Sequence, residues 1–175
     1  MELELKIAAR PPHVIGGALI VPVGLFANES EIAALREEPP PYGTSNGETE
    51  RLAMEKVLAF EREQGFEPHS VCQENRGYDI ESRYPKGHAK EGQLRFIEVK
   101  GRVKGADTVT VTKNEILTAL NRPDAYLLAI VLVEDGIAEK PVYLQRPFTQ
   151  EPEFATASIN LKLTELFDQA KGKGK

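Results

Sequence analysis

Three side chains in the middle of the chain have the types and spacing to do chemistry together. The stretch "RFIEVKGR", residues 95 to 102, sets Glu98 and Lys100 two residues apart in a strand-like run, and "ENRGYDIESR" sets Asp79 upstream. In an extended chain residues i and i+2 share a face, so Glu98 and Lys100 project together while Ile97 and Val99 project to the other side. If "YDIES" and "RFIEVKG" pair as a hairpin across the polar turn "RYPKGHAKEGQ", Asp79 sits beside Glu98. Two carboxylates that close repel unless one is protonated or a cation lies between them. Oxygen ligands with open positions favour Mg²⁺ or Mn²⁺. A lysine alongside orients a water and stabilises negative charge at a scissile phosphate, and that set of parts hydrolyses phosphodiesters. Against this stands the plainer reading of Glu-x-Lys as an ion pair on an exposed strand.

The elements that must position these residues follow from pattern. "ETERLAMEKVLAFEREQGF" is helical, with Leu52, Ala53, Val57 and Phe60 at helical spacing and Gly65 placed as a C-terminal stop. Short strands are expected from His69 to Glu74 and over "YDIES", then the central strand "LRFIEVKG" and the alternating "DTVTVT". Thr112 is set to cap the helix "KNEILTALN", which ends before Pro123. "AYLLAIVLV" is apolar enough to need cover on both faces, as in the middle of a sheet. "KPVYLQRPF" and "SINLKLTEL" read as weaker strands, and there are no internal repeats. The order predicts an α/β domain, a mixed sheet flanked by helices. "EPPPYGTSNG" breaks the chain, so residues 1–45 read as an N-terminal extended arm with a Pro-rich linker, 46–170 as the main domain and 171–175 as a disordered tail.

Composition narrows the function classes. The 175 residues fit one domain with an appended arm, and a 41% hydrophobic share allows a core. The net charge of −5 argues against a protein that coats nucleic acid nonspecifically. Between Arg76 and Lys113, however, nine Lys/Arg face five Asp/Glu, a local +4 against −9 elsewhere. The single cysteine, Cys72, excludes an intrachain disulfide or a cysteine-based zinc site and reads as a small core residue. His13, His69 and His88 lack ligand spacing, and Gly16–Gly17 lead into no Gly-Lys-Ser/Thr. No secretory signal is visible and the longest apolar run, Val14 to Phe26, is short and holds Pro22. A cytoplasmic chain with no membrane partner is expected.

The Gly-x-Asp turn, the hairpin and the Glu-x-Lys strand resemble the PD-(D/E)xK nuclease superfamily, whose fold is restriction-endonuclease-like. "GYD" stands where the superfamily's name has Pro-Asp. More narrowly, "ENRGYDIESR", "FIEVKGR" and "VTVTKNEI" look like the NO VEIN C-terminal domain family, over about residues 50 to 135. Members of that family often sit at the end of helicase-like proteins, and the arm "ARPPHVIGGALIVPVGLF" resembles a segment preceding the domain in Swi/Snf-type helicases. The resemblance implies a metal-dependent DNA endonuclease, working in repair or in restriction and defence. Asp79 and Glu98 would bind the metal, Lys100 would orient the attacking water, and Glu55 on the first helix would hold a water or second metal. Asn114 and Glu115 recur beside the site in the resembling family, although "TKNE" also suits a helix cap.

Arg76, Arg83, Arg102, Lys104 and Lys113 are candidate phosphate contacts, with plain surface charge as the alternative for each. Gly101 suits either a close approach of backbone to phosphate or a simple strand end. The expected partners are DNA and a helicase or ATPase portion of the same or a neighbouring polypeptide, with a homodimer left open. The reading from another class is a nuclease-fold module that binds nucleic acid or docks a protein and cuts nothing.

Overall fold

Sheet pairing around one ten-residue strand organises the fold. The computed structural model describes residues 47–74 and 76–172, so the expected arm and linker over 1–45 lie outside the described residues. Helix α1 (Gly47–Glu63) leads into β1 (Glu67–Ser70), a short 3-10 turn (Cys72–Glu74), β2 (Ile80–Arg83) and β3 (Leu94–Val103). Next come β4 (Thr108–Thr112), α2 (Lys113–Asn121) and β5 (Tyr126–Glu134). The chain then forms β6 (Ile137–Ala138), β7 (Val142–Gln145), β8 (Ser158–Lys162) and α3 (Leu163–Gly172).

The main sheet runs β1-β2-β3-β5-β6, with β7 also paired to β5. The expected hairpin is present: β2 and β3 are antiparallel, with Ile80 opposite Ile97 and Arg83 opposite Leu94. β3 and β5 are parallel from Phe96↔Tyr126 to Val103↔Val133, which makes the sheet mixed. Parallel neighbours need a long crossover, and β4 with α2 supplies it. β4 departs from the expected sheet. It pairs with β8 as a separate two-stranded ribbon.

Alternation along β3 and β5 sends side chains to two cores. On one face Ala53 and Val57 of α1 pack on Ile80, Ile97, Ala129 and Val131. On the other, Val109, Ala119, Leu163 and Leu166 cover Tyr126, Leu128, Ile130 and Leu144. The α/β architecture read from the sequence is therefore the observed one. Helix α1 stops as expected: Gly65 takes φ +85°, Phe66 N donates to Glu61 O at 3.0 Å and Gly65 N to Arg62 O at 2.9 Å. That pair of bonds is a Schellman cap, which a left-handed glycine permits.

Three expectations change. β3 does not end at Gly101 but runs on to Val103. The glycine is there because a Cβ would lie 2.7 Å from Thr49 O and 2.8 Å from the Ala53 Cβ, so it lets α1 rest on the strand. "SINLKLTEL" is strand only to Lys162 and turns helical at Leu163, so Lys171 and Gly172 of the expected tail belong to α3. Residues 173–175 lie outside the described residues. Cys72 is exposed, not a core residue, because the chain leaves β1 there for the 3-10 turn.

Candidate active site at the open edge of the central strand

β2 pairs with β3 only as far as Ile97, which leaves the edge of β3 beyond it free for a side chain. Asp79, the residue before β2, takes that edge. Its N–H donates to Ile97 O at 2.9 Å, its carbonyl accepts from Val71 N at 2.8 Å, and its Oδ2 accepts from Val99 N at 2.9 Å. Three backbone bonds therefore aim one carboxylate at the strand carrying Glu98 and Lys100. Gly77, two residues earlier, has φ +79°, and a Cβ there would meet Thr118 Oγ1 at 2.4 Å and Asn114 O at 3.0 Å. The glycine of "GYD" thus lets this turn press against α2.

Glu98 and Lys100 share a face, as their spacing requires, and Lys100 Nζ lies 2.8 Å from Glu98 Oε1. The same ammonium lies 2.8 Å from Glu115 Oε2. Glu115 also completes a capping box at the start of α2. Its N–H donates to Thr112 Oγ1, and its carboxylate accepts from Thr112 N at 3.1 Å. The motif "TKNE" is therefore both a cap and part of the cluster. Glu98 is 5% exposed.

Burial dominates the electrostatics. It pushes the Glu98 carboxyl up to about 8, with Asp79 and Glu115 adding in the same direction and Lys100 opposing. Asp79 is raised for the same reason, against the Val99 hydrogen bond and Lys100. Burial works to lower the Lys100 ammonium, but Glu98 and Glu115 outweigh it and hold it raised. Clustered carboxylates in a small cleft are the arrangement that functional sites use to perturb ionisation. Asp79, Glu98, Asn114 and Glu115, with Arg76 and Cys72, line a polar pocket of about 70 Å³, room for a few water molecules. A larger apolar groove of about 600 Å³ between β7 and α3 shares none of these residues.

The other candidates fall elsewhere. Glu55 is exposed and ion-paired with Arg51 at 2.6 Å. α1 turns Thr49, Ala53, Val57 and Glu61 to the sheet, so Glu50, not Glu55, is the helix carboxylate whose charge reaches Asp79 and Arg102. Arg76 is at the pocket but engages Glu74 and Glu81. Arg83 is exposed at the far end of β2. Arg102 is buried, and that burial lowers its guanidinium despite Glu50. Lys104 bridges Glu134 at 2.6 Å and Glu139 at 3.1 Å. Lys113 donates to Glu153 O at 3.3 Å and Phe154 O at 2.8 Å.

Two features escaped the sequence reading. Glu61 is 1% exposed and accepts from Ser82, Arg95 and Tyr143. Ser82 and Arg95 face each other across the β2–β3 pair and Tyr143 stands on β7, so Glu61 ties α1 to three strands and is structural. Tyr126 is the second. Its hydroxyl is buried with no hydrogen-bond partner, and burial together with Glu98, Glu115 and Asp79 pushes its ionisation upward. The apolar run "AYLLAIVLV" placed it in a buried strand but did not mark its hydroxyl.

Among the described residues no three His, Cys, Asp or Glu side chains are grouped to hold a metal ion. Magnesium, however, is commonly held by one or two carboxylates, keeping several waters. Asp79 and Glu98 fit that demand. The Tyr126 hydroxyl is a buried polar group in need of a partner such as an ordered water.

These features define an α/β domain with a carboxylate–lysine cluster at the edge of its central strand. The family model described as "Protein NO VEIN, C-terminal" matches residues 49–144, more than half of the chain. The chain belongs to that family. The matched segment spans α1 to β7 and so contains the whole cluster. No curated protein and no solved structure matches. No helix among the described residues is long and apolar enough to cross a membrane.

Proposed function

We propose that the domain is a Mg²⁺- or Mn²⁺-dependent endonuclease that hydrolyses phosphodiester bonds in DNA, delivered to its substrate by a helicase-like partner portion. One observation carries the reading: the Glu98–Lys100 pair at 2.8 Å on one face of β3, with Asp79 tied to the next backbone N–H of the same strand. Asp79 and Glu98 would hold the metal. When bound, the ion would polarise a phosphate oxygen and lower the pKa of a coordinated water.

The chain's own groups supply the rest. Lys100 would give up Glu98 to the cation and would keep its bond to Glu115, a residue that lines the pocket. From there its ammonium orients a water and offsets charge on the attacked phosphate. Glu115 positions the lysine from a helix N-terminus whose cap fixes its own side chain. Of the α1 carboxylates Glu50, whose charge reaches Asp79, would be the one to hold a water or second metal, the role first expected of Glu55.

The alternative, a noncatalytic module, draws support from the same ammonium, which already bridges two carboxylates as a built-in cation. Thermal melting with Mn²⁺ separates the two. A ligand selective for the native state raises stability by mass action. Wild type should melt several degrees higher in Mn²⁺ and nick supercoiled plasmid, and Asp79→Asn and Glu98→Gln should lose both responses. Equal melting shifts in all three proteins would remove the metal site.

A further inference from the structure

Phe154 is the one exposed residue among the described Phe and Tyr side chains, at 97%. It lies beyond the family match, in the loop between β7 and β8. Single exposed apolar side chains are ordinary on protein surfaces. What separates this one is its tether. Lys113 Nζ donates to the carbonyls of Glu153 and Phe154 and stands 5.3 Å from the Phe154 ring centre. Lys113 N donates to Ala157 O at 2.8 Å, and Thr156 N to Glu153 O at 3.0 Å. The loop is thus pinned to one residue of α2. That residue sits between Thr112 and Asn114, both of which line the carboxylate pocket.

The geometry points to Phe154 as a stacking platform for an unpaired base of a nucleic-acid strand whose backbone passes the Asp79–Glu98 pocket. This rests on the nuclease reading and adds a substrate class to it, single-stranded nucleic acid. A ring carried on a loop whose backbone is held by these bonds, and itself left in solvent, gives a base its π-face without the cost of ordering the loop. Every base has such a face, so the contact is indifferent to sequence. The lysine beneath the ring has three donors and gives two to carbonyls, so it also offers a phosphate contact next to the stacked base. Buried in a duplex, a base would not present its face to the ring.

The chain has no tryptophan, so Phe154→Trp installs a single indole, excited apart from the five tyrosines, at the proposed contact. The full chain carrying this substitution would be titrated with oligothymidylate and with a blunt duplex, without divalent cation and at low ionic strength. Wild-type cleavage of single-stranded and duplex DNA in Mn²⁺ would be measured in parallel. The single strand should quench most of the emission and the duplex little. Phe154→Ala, with an unchanged melting temperature because the ring is exposed, should bind the single strand about tenfold more weakly, the loss of one stack. Unquenched emission while the wild type binds the single strand would overturn the stacking role and leave the nuclease reading standing. Quenching by single strand in a protein that cuts nothing would uphold the platform and remove the nuclease. Failure of the wild type to bind single strands would overturn the inference outright.

Discussion

With its ammonium 2.8 Å from both Glu98 and Glu115, Lys100 sets the charge balance of the cluster as well as any chemistry done there. Lys100→Met should therefore do two things. Cleavage should vanish, because the water-orienting charge is gone. The metal-free protein should lose about 2 kcal/mol or more, because buried carboxylates are left without their cation. The Mn²⁺-induced melting shift should persist or grow, since both proposed ligands remain. A shift abolished by Lys100→Met would show that the lysine shapes the ligand set itself. The carboxyls also make stability depend on pH. In the fold Glu98 stands at about 8 against an ordinary 4.5, raised mainly by burial, and Asp79 is raised too. At acid pH both folded and unfolded chains hold these protons. As pH climbs from about 4.5 to about 8 the unfolded chain releases them first, so stability falls across that window and flattens above it. Each unit of displacement amounts to about 1.4 kcal/mol. The urea midpoint of the metal-free protein should drop over this range, and Glu98→Gln should flatten the profile. A midpoint constant in wild type would mean that Glu98 is ionised throughout. At this scale the sequence was informative wherever strand parity decides: Glu98 and Lys100 had to share a face. It was silent on Tyr126, because nothing local says which buried hydroxyl lacks a partner.

Among the elements, the fit of α1 on β3 governs the site's frame, and Gly101 makes that fit possible. A methyl there would press a backbone oxygen, Thr49 O at 2.7 Å, as well as the Ala53 Cβ. Backbone gives way poorly, so Gly101→Ala should cost about 1–3 kcal/mol by overpacking, read as a lower urea midpoint. Gly47→Ala makes the contrast, since nothing lies within 4 Å of its added methyl and its midpoint should hold or rise. Equal midpoints for the two variants would mean that α1 shifts without cost. The same contact sets which face of α1 meets the sheet, and Glu55 lies off it. Leu52, Ala53, Val57 and Phe60 suggested one stripe, whereas packing buries Thr49, Ala53, Val57 and Glu61. Helix phase is chosen by what the helix meets, here a glycine and a Ser82–Arg95–Tyr143 set that accommodates a buried glutamate. The final helix was hidden for a related reason. Ile159, Leu161 and Leu163 alternate like a strand, while Leu163, Leu166 and Phe167 also carry helical spacing, and docking on the core decides where one pattern yields. The β5–β6 turn was legible and went unread: Asp135 and Gly136 both adopt positive φ, 49° and 76°, as a two-residue hairpin turn requires.

At the scale of the whole molecule the question is how a protein of net charge −5 would meet DNA. The local surplus between Arg76 and Lys113 promised a basic surface, but the fold commits much of it. Arg76 engages Glu74 and Glu81, Arg95 engages Glu61, and Lys104 engages Glu134 and Glu139. Lys100 is taken up by the cluster and Arg102 is buried. Nonspecific affinity for duplex DNA comes from cations that displace counterions, and log K falls with log salt at about −0.9 per phosphate neutralised. Few uncommitted cations near the pocket should therefore mean both weak binding and a shallow salt slope. In anisotropy titrations with a labelled duplex, the isolated chain should show a slope no steeper than roughly −2 and a Kd above about 10⁻⁵ M near physiological salt. Linking the domain to a DNA-bound motor would compensate by raising local concentration, so the weak cleavage of the isolated chain should rise on fusion to a helicase portion without any change in this slope. Submicromolar duplex binding by the isolated chain, with a slope of about −6 or steeper, would mean that these ion pairs open on contact and that the domain carries its own DNA-binding surface.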